Sequence, residues 1–157
     1  MAEIDASQLT PSELEPMLRV WAQGVQSLEA ANELIIAHGT WLARADFRRE
    51  CVTAVDKGMH RGQHVPMAAI SWQRSARFLE TAPASSSESN VLRLACSLAG
   101  VDTGALGKLT EGLDPVNTAR VLDALAHRAG WHERGMHHTV DGRQDRVLHD
   151  RTPGLTW

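Results

Sequence analysis

The sequence is short of the residues that cross-link small proteins or fill large aromatic cores. Its 157 residues include two cysteines, two phenylalanines and no tyrosine. Cys51 and Cys96 each lie in a helical pattern with apolar neighbours, which is typical of buried, reduced thiols and favours a cytoplasmic protein. The acidic N-terminus lacks an apolar run, so we expect no signal peptide. No segment approaches the ~18 consecutive apolar residues that a membrane-spanning helix needs.

Recognisable catalytic motifs are missing as well. The sequence contains no G-x-S-x-G, no P-loop and no dinucleotide-binding glycine pattern. The glycines between residues 100 and 112 match no phosphate-binding spacing, and neither cysteine lies at a helix start that would stabilise a thiolate. These absences weigh against an enzyme and against a cofactor, although they leave the question open.

Helical periodicity and capping signals predict an all-α fold. Thr10 to Glu13 and Ser85 to Glu88 both read as capping boxes, and Asp114-Pro115 reads as an N-cap with proline in the first turn. The apolar spacing predicts five principal helices. The first contains Trp21–His38 and is about 22–28 residues long, because it starts at the Thr10 cap or at Pro16. The others run over Trp41–Val55, 66–80, 88–99 and 116–129. Residues 56–66 read as a loop and 101–113 as a loop with at most a short helical turn, because both contain several glycines.

The predicted helices differ in how apolar they are. Helix 88–99 is apolar nearly all round, so we expect it at the centre of a bundle formed by residues 1–130. In the last helix an apolar stripe is predicted to line the core; it comprises Val116, Ala119, Leu122, Leu125, Ala126 and Ala129.

Charge is distributed unevenly along the chain. The net charge of −3 argues against a general nucleic-acid binder. Residues 1–40 nevertheless contain six acidic residues and one basic residue, whereas residues 41–80 contain seven basic and four acidic residues. The strongest candidates for a binding face are five arginines of this second segment: Arg44, Arg48, Arg49, Arg74 and Arg77.

Two interpretations of these arginines remain open. Arg74 and Arg77 are three residues apart, and Arg44 and Arg48 are four apart, so each pair shares one side of its predicted helix. If the two sides adjoin, four guanidinium groups would bind phosphates. Alternatively, the arginines pair with acidic residues of the first helix, within the chain or across a dimer; these are Glu13, Glu29 and Glu33.

The last 27 residues, 131–157, form a polar, histidine-rich arm in this interpretation. Asp141-Gly142 suits a hairpin turn, but the flanking residues are too polar for a buried sheet, so we expect a disordered or partner-dependent arm. His132, His137 and His138 are weak metal-ligand candidates, because the five-residue gap between the first two differs from the four-residue gap of zinc-protease helices. Trp157 is a candidate contact with a neighbouring subunit; the alternative is that it frays or folds back.

Three segments together carry a resemblance. They are Leu28–Leu42 followed by Asp46-Phe47, Ser85–Gly100, and Leu113-Asp114-Pro115-Val116-Asn117. In this order they resemble a group of small, predominantly helical actinobacterial proteins that carry no assigned activity. The resemblance covers roughly residues 14–130. It implies a helical fold and a bacterial cytoplasmic setting, and it transfers no catalytic residue.

Three functional hypotheses follow. The leading one is a non-enzymatic helical interaction protein, an oligomer or a subunit of a larger assembly, because amphipathic helices, five tryptophans and a polar arm suit contacts with protein partners. The second is a nucleic-acid-associated accessory factor that uses the arginine face. The third is a metal-dependent enzyme centred on the histidines of the arm.

Overall fold

A computed structural model of the chain describes residues 2–131 and, of the arm, the backbone of residues 139–140 and 143–144. The helices are α1 Pro11–Ala22, α2 Gln26–His38, α3 Thr40–Ala43, α4 Ala45–Cys51, α5 Trp72–Phe78, α6 Ser86–Leu98, α7 Leu106–Thr110 and α8 Pro115–Arg128. The strands are β1 Glu3–Ile4, β2 Val52–His60, β3 Gln63–Ile70, β4 Thr139–Val140 and β5 Arg143–Gln144.

A three-stranded antiparallel sheet, in the order β1-β2-β3, overturns the all-α prediction. The glycines of the predicted loop 56–66 instead belong to a β-hairpin. Its two-residue turn is Arg61-Gly62, with φ angles of 47° and 81°. Positive φ at both positions suits the right-handed twist of the paired strands, and glycine adopts it without steric cost.

The hairpin replaces parts of two predicted helices. Helix Trp41–Val55 is wrong in two places. Arg44 takes an extended ψ of 120° and divides it into α3 and α4, and α4 stops at Cys51, where β2 begins at Val52. Helix 66–80 is wrong at its start, because Pro66 lies inside β3. Two residues of β2, Asp56 and Lys57, lie opposite this single proline in a β-bulge. Proline has no backbone N–H for the ladder, so a bulge is a site where a strand tolerates it.

The predicted long helix Trp21–His38 is also wrong, because it is divided between α1 and α2. Gln23 takes an extended ψ of 123° and Gly24 a φ of 87°. Residues other than glycine adopt that φ at a cost, so Gly24 allows the chain to reverse between the helices.

The capping predictions are confirmed. The Thr10 and Ser85 hydroxyls accept hydrogen bonds from the backbone N–H groups of Glu13 and Glu88, whose carboxylates bond back to the cap residues. The Asp114 carboxylate caps α8 in the same way, accepting from the Asn117 N–H at 2.8 Å. The short turn expected within 101–113 is α7.

The core is built around α2 and α6. Residues 29–35 of α2 are buried without interruption, so α2 is covered on every side. Helix α6 packs against α2, α5, α7 and α8. Beside them Trp41, Phe47 and Phe78 form an aromatic cluster with ring centroids 5.7–6.2 Å apart.

The predicted burial of both cysteines is confirmed, and both are free thiols. Burial raises the pKa of Cys51 to about 11 and that of Cys96 to about 12. Both side chains are therefore protonated at neutral pH, and neither is poised as a nucleophile.

The predictions on membrane spans and on the C-terminal arm can be compared with the structure only for the described residues. Among those residues no helix combines the length and the apolar character that crossing a membrane requires. In the arm, β4 and β5 pair antiparallel on either side of Asp141-Gly142. His132, His137, His138 and Trp157 lie outside the described residues, so their predicted roles and the boundary near residue 130 stay predictions.

Candidate functional site

Helix α8 is oriented opposite to the sequence prediction. Its buried residues are Asn117, Asp123 and His127, alongside Val121, Ala124 and Ala126. Ala126 is the one buried member of the predicted stripe. Leu122 and Leu125, which were predicted to line the core, are 41% and 37% exposed, and Val116 is 59% exposed. The apolar stripe therefore exists at the predicted spacing, but most of it faces away from the core.

We define the outer face of α8 by five uncharged residues on one side of the helix: Pro115, Thr118, Leu122, Leu125 and Ala129. Their spacing of three and four residues keeps them on one side of the helix. The Thr118 hydroxyl donates to the Asp114 carbonyl at 2.9 Å, so the only polar side chain of the face is satisfied within its own helix. A face of this kind gains free energy when apolar surface covers it.

The polar residues beneath α8 explain its orientation. The His127 Nε2 atom lies 3.1 Å from Glu29 Oε2, and the other carboxylate oxygen of Glu29 accepts from the Gly24 N–H at 2.8 Å. One turn further along α2, Arg19 holds Glu33 in a two-pronged ion pair, with Nε–Oε1 and Nη2–Oε2 distances of 2.7 and 3.3 Å. These contacts join α1, α2 and α8.

Two acidic residues that were predicted as alternative partners of the arginines, Glu29 and Glu33, belong to this polar cluster. Glu29 and Glu33 bond to His127 and Arg19, and Glu13 caps α1 through Thr10. Among the described contacts, none joins these carboxylates to the five arginines of the predicted binding face.

Two of those five arginines stabilise the fold. Arg48 is buried and donates to the carbonyls of Leu42 and Ser7, at 2.6 and 3.1 Å. Arg44 forms an ion pair with Asp46 at 2.6 Å and also lies 5.2 Å from the centroid of the Trp41 ring. Arg48 is buried, and Arg44 donates to Asp46 and to the Pro83 carbonyl, so neither side chain lines the surface occupied by the other three arginines.

The other three arginines converge. Arg49 of α4 and Arg74 and Arg77 of α5 line one open depression of about 370 Å³, together with Glu50, Phe78 and Thr81. Three guanidinium groups thus share a small concave surface with one carboxylate. We call it the arginine depression.

Metal chemistry finds no support within the described residues. No group of three histidine, cysteine, aspartate or glutamate side chains there is arranged to hold a metal ion. The three weak candidates of the arm lie outside those residues.

The polar contacts of Glu29 and Glu33 are not predicted from the sequence. One signal was present: Arg19 is the single basic residue among the first 40, and it lies in a segment with six acidic residues. A lone arginine in such a segment is a natural ion-pair partner. The pairing of His127 with Glu29 joins residues 98 positions apart, and no local pattern indicates it.

Comparisons with protein-family models, with curated proteins and with solved structures gave no match. The resemblance to small helical actinobacterial proteins therefore stays a prediction.

Proposed function

We propose that this protein is a non-enzymatic interaction protein that associates with a second copy of itself through the outer face of α8. The observation that carries the proposal is the reversed polarity of this helix, which buries Asp123 and His127 and exposes Leu122 and Leu125. Apolar surface that is regular, uncharged and exposed is the usual composition of an association site.

The arrangement of the outer face favours a second copy as the occupant. Pro115 and Ala129 each lie seven residues from Leu122, so the face is nearly symmetric about that leucine. Two antiparallel copies of α8 related by a two-fold axis at Leu122 would bring Pro115 of each against the partner's Ala129. Such self-complementarity is what a two-fold interface requires.

Charges at the ends of α8 support the same pairing. Asp114 stands at the start of the helix and Arg128 in its last turn, and both are exposed. Hydrogen bonding from the Asn117 backbone lowers the pKa of Asp114, so this carboxylate is charged at neutral pH. In the antiparallel pair it lies towards the last turn of the other copy, which carries the partner's Arg128. Opposite charges at both ends favour this pairing over a parallel one.

The size of the outer face of α8 determines how strongly two copies are expected to associate. A helix of 14 residues is about 21 Å long, so two copies of α8 alone bury less than a standard interface. Val25, at the start of α2, is a further exposed apolar residue, 46% exposed. We expect association in about the micromolar range, which is typical of small interfaces.

Cysteine cross-linking tests the geometry directly. Both native cysteines are buried, so Leu122→Cys introduces the one accessible thiol among the described residues. A two-fold axis at residue 122 places that thiol against its copy, and mild oxidation should give a covalent dimer. Met59→Cys is the matched control, because Met59 is 61% exposed but lies on the β2–β3 hairpin. Equal cross-linking of both variants, or of neither, would refute the proposal.

Residues 132–157 are the other segment able to cover the outer face, and a truncation separates the two occupants. Light scattering of the full chain and of residues 1–131 should show the same association. If the face is covered by the arm of its own chain, only the truncated protein should associate, and Leu122→Cys should cross-link only after truncation. That result would show that the arm, and not a second copy, covers the outer face of α8.

A nucleic-acid-associated accessory role is the second candidate function. It is supported by the arginine depression alone, since Arg44 and Arg48 are engaged elsewhere. The oligonucleotide titration described below tests it.

A further inference from the structure

We propose that the arginine depression between α4 and α5 binds a phosphate group. This site is separate from the outer face of α8 and does not depend on self-association. Arg49, Arg74 and Arg77 come from two helices, and the fold brings them to the same concave surface.

The imbalance of charge in the depression points to an anionic ligand. The lining includes three arginines and one glutamate, and the contact between Arg49 and Glu50 is long, at 4.0 Å between two exposed side chains. Such a pair contributes little to stability. Within the described residues no hydrogen bond or ion pair of the Arg77 guanidinium is found, so its five N–H donors are available to a ligand. Like charges gathered on one surface repel each other, and a bound anion would remove that repulsion.

Contacts around the arginine depression hold its side chains and its wall in place. Arg74 Nη2 lies 3.2 Å from Thr53 Oγ1 on β2, which holds the guanidinium while leaving donors unused. Phe78 in the wall belongs to the aromatic cluster, with its ring 5.7 Å from Phe47 and 6.2 Å from Trp41. A wall fixed in this way keeps α5, and with it Arg74 and Arg77, in place relative to α4.

The chemistry and size of the depression define the ligand class. Arginine presents a planar pair of N–H donors that matches two oxygens of a phosphate, and several arginines together bind it more strongly than one. A volume of about 370 Å³ lies at the lower end of the range for small-molecule pockets, about 300–1,000 Å³. It accommodates a single phosphate with a small attached group, and one phosphate of a longer chain could also enter because the depression is open.

Calorimetric titration of the full chain at low salt tests the site, with inorganic pyrophosphate as the first probe. We expect saturable binding of one pyrophosphate per chain. The double variant Arg74→Gln/Arg77→Gln should weaken it by about tenfold or more, because at least one charge-assisted hydrogen bond is lost. Lys108→Gln is the matched control, since Lys108 is an exposed cation on α7 and should leave the affinity unchanged.

Replacing Glu50 changes the pyrophosphate affinity in a direction that a purely structural role of the arginines would not produce. Glu50→Gln removes the one carboxylate of the depression, and we expect pyrophosphate to bind about two- to fivefold more tightly, which is the effect of one exposed charge. Circular dichroism and the urea midpoint check that each variant is folded. Arg77→Gln alone provides a second test if the double variant is not.

Adenosine monophosphate and a single-stranded oligonucleotide identify the source of the phosphate. Tighter binding of the oligonucleotide that is lost in the arginine variants assigns the site to nucleic acid, whereas equal affinities assign it to free phosphate compounds. Absence of saturable binding for all three probes would overturn the proposal. So would an equal loss of affinity in Lys108→Gln, because binding would then follow net charge rather than the depression.

Discussion

The ion pair between Arg19 and Glu33 should be one of the largest single polar contributions to stability. The Glu33 side chain is 2% exposed and that of Arg19 24%, and two hydrogen bonds at 2.7 and 3.3 Å join them. The hydrogen bonds that Arg19 donates to Glu33, opposed in part by burial, raise the pKa of Arg19, so this arginine is charged at neutral pH.

Replacing Arg19 by methionine keeps a long apolar side chain and removes the charge. Glu33 would then lose its two-pronged partner in a buried position. Breaking a buried pair on one side costs about 3–5 kcal/mol, and the partial exposure of Arg19 places the expected loss near ~3 kcal/mol. For a chain of this length each kcal/mol lowers the melting temperature by about 2–4 °C, so we expect a decrease of about 6–12 °C.

Urea and thermal denaturation, followed by circular dichroism, measure the loss. Arg49→Met is the matched control, because Arg49 is exposed and its contact with Glu50 is 4.0 Å long; it should change stability by less than about 0.5 kcal/mol. In a double-mutant cycle, Arg19→Met with Glu33→Gln should cost less than the sum of the two single changes. A loss below ~1 kcal/mol for Arg19→Met, or additive effects in the cycle, would show that the pair does not hold α1 against α2.

Two further outcomes are expected in solution. Hydrogen bonding from Arg44 lowers the pKa of Asp46 from 3.8 to about 2, so its ionised form stabilises the fold above the unfolded pKa, and that stabilisation is lost as the pH falls from about 4 towards 2. Urea midpoints at decreasing pH should show the loss, and Arg44→Gln should make it smaller; an unchanged pH profile would contradict the assignment. Cys51 and Cys96 should react with an aromatic disulfide reagent only after unfolding, because both thiols are buried and their pKa values are raised. Rapid reaction of either thiol in the native protein would show that its helix opens.

Local signals in the sequence predicted the N-caps of α1, α6 and α8 correctly and missed the strands. A capping box needs residues three positions apart, so Thr10 with Glu13 and Ser85 with Glu88 are visible without any tertiary information. The sequence does not predict the hairpin, because glycines and a proline such as Pro66 are equally typical of a loop. Arg61-Gly62 and the bulge opposite Pro66 are hairpin features too, and only the pairing of β2 with β3 distinguishes the two interpretations.

In the candidate sites, too, the sequence shows which residues are present, and the fold decides where they lie. The five arginines are visible as a cluster in the sequence, but the fold separates them into two that stabilise the protein and three that line the arginine depression. That separation depends on distant groups, because the carbonyl of Ser7 engages Arg48 and the hairpin carries the chain from α4 to α5. Spacing along one helix does not contain this information.

Helix α8 shows most clearly what the sequence determines and what the tertiary structure determines. Its length, its N-cap and the presence of an apolar stripe are properties of residues 114–130 alone, because capping and helical spacing act over three or four positions. The direction in which the stripe faces was decided by tertiary contacts. Glu29 of α2 contacts His127 beneath the helix at 3.1 Å, so this polar side chain of α8 faces the core, and Leu122 and Leu125 are left at the surface. A helix with one polar and one apolar side packs either way round, and only the partners brought by the rest of the fold select between them.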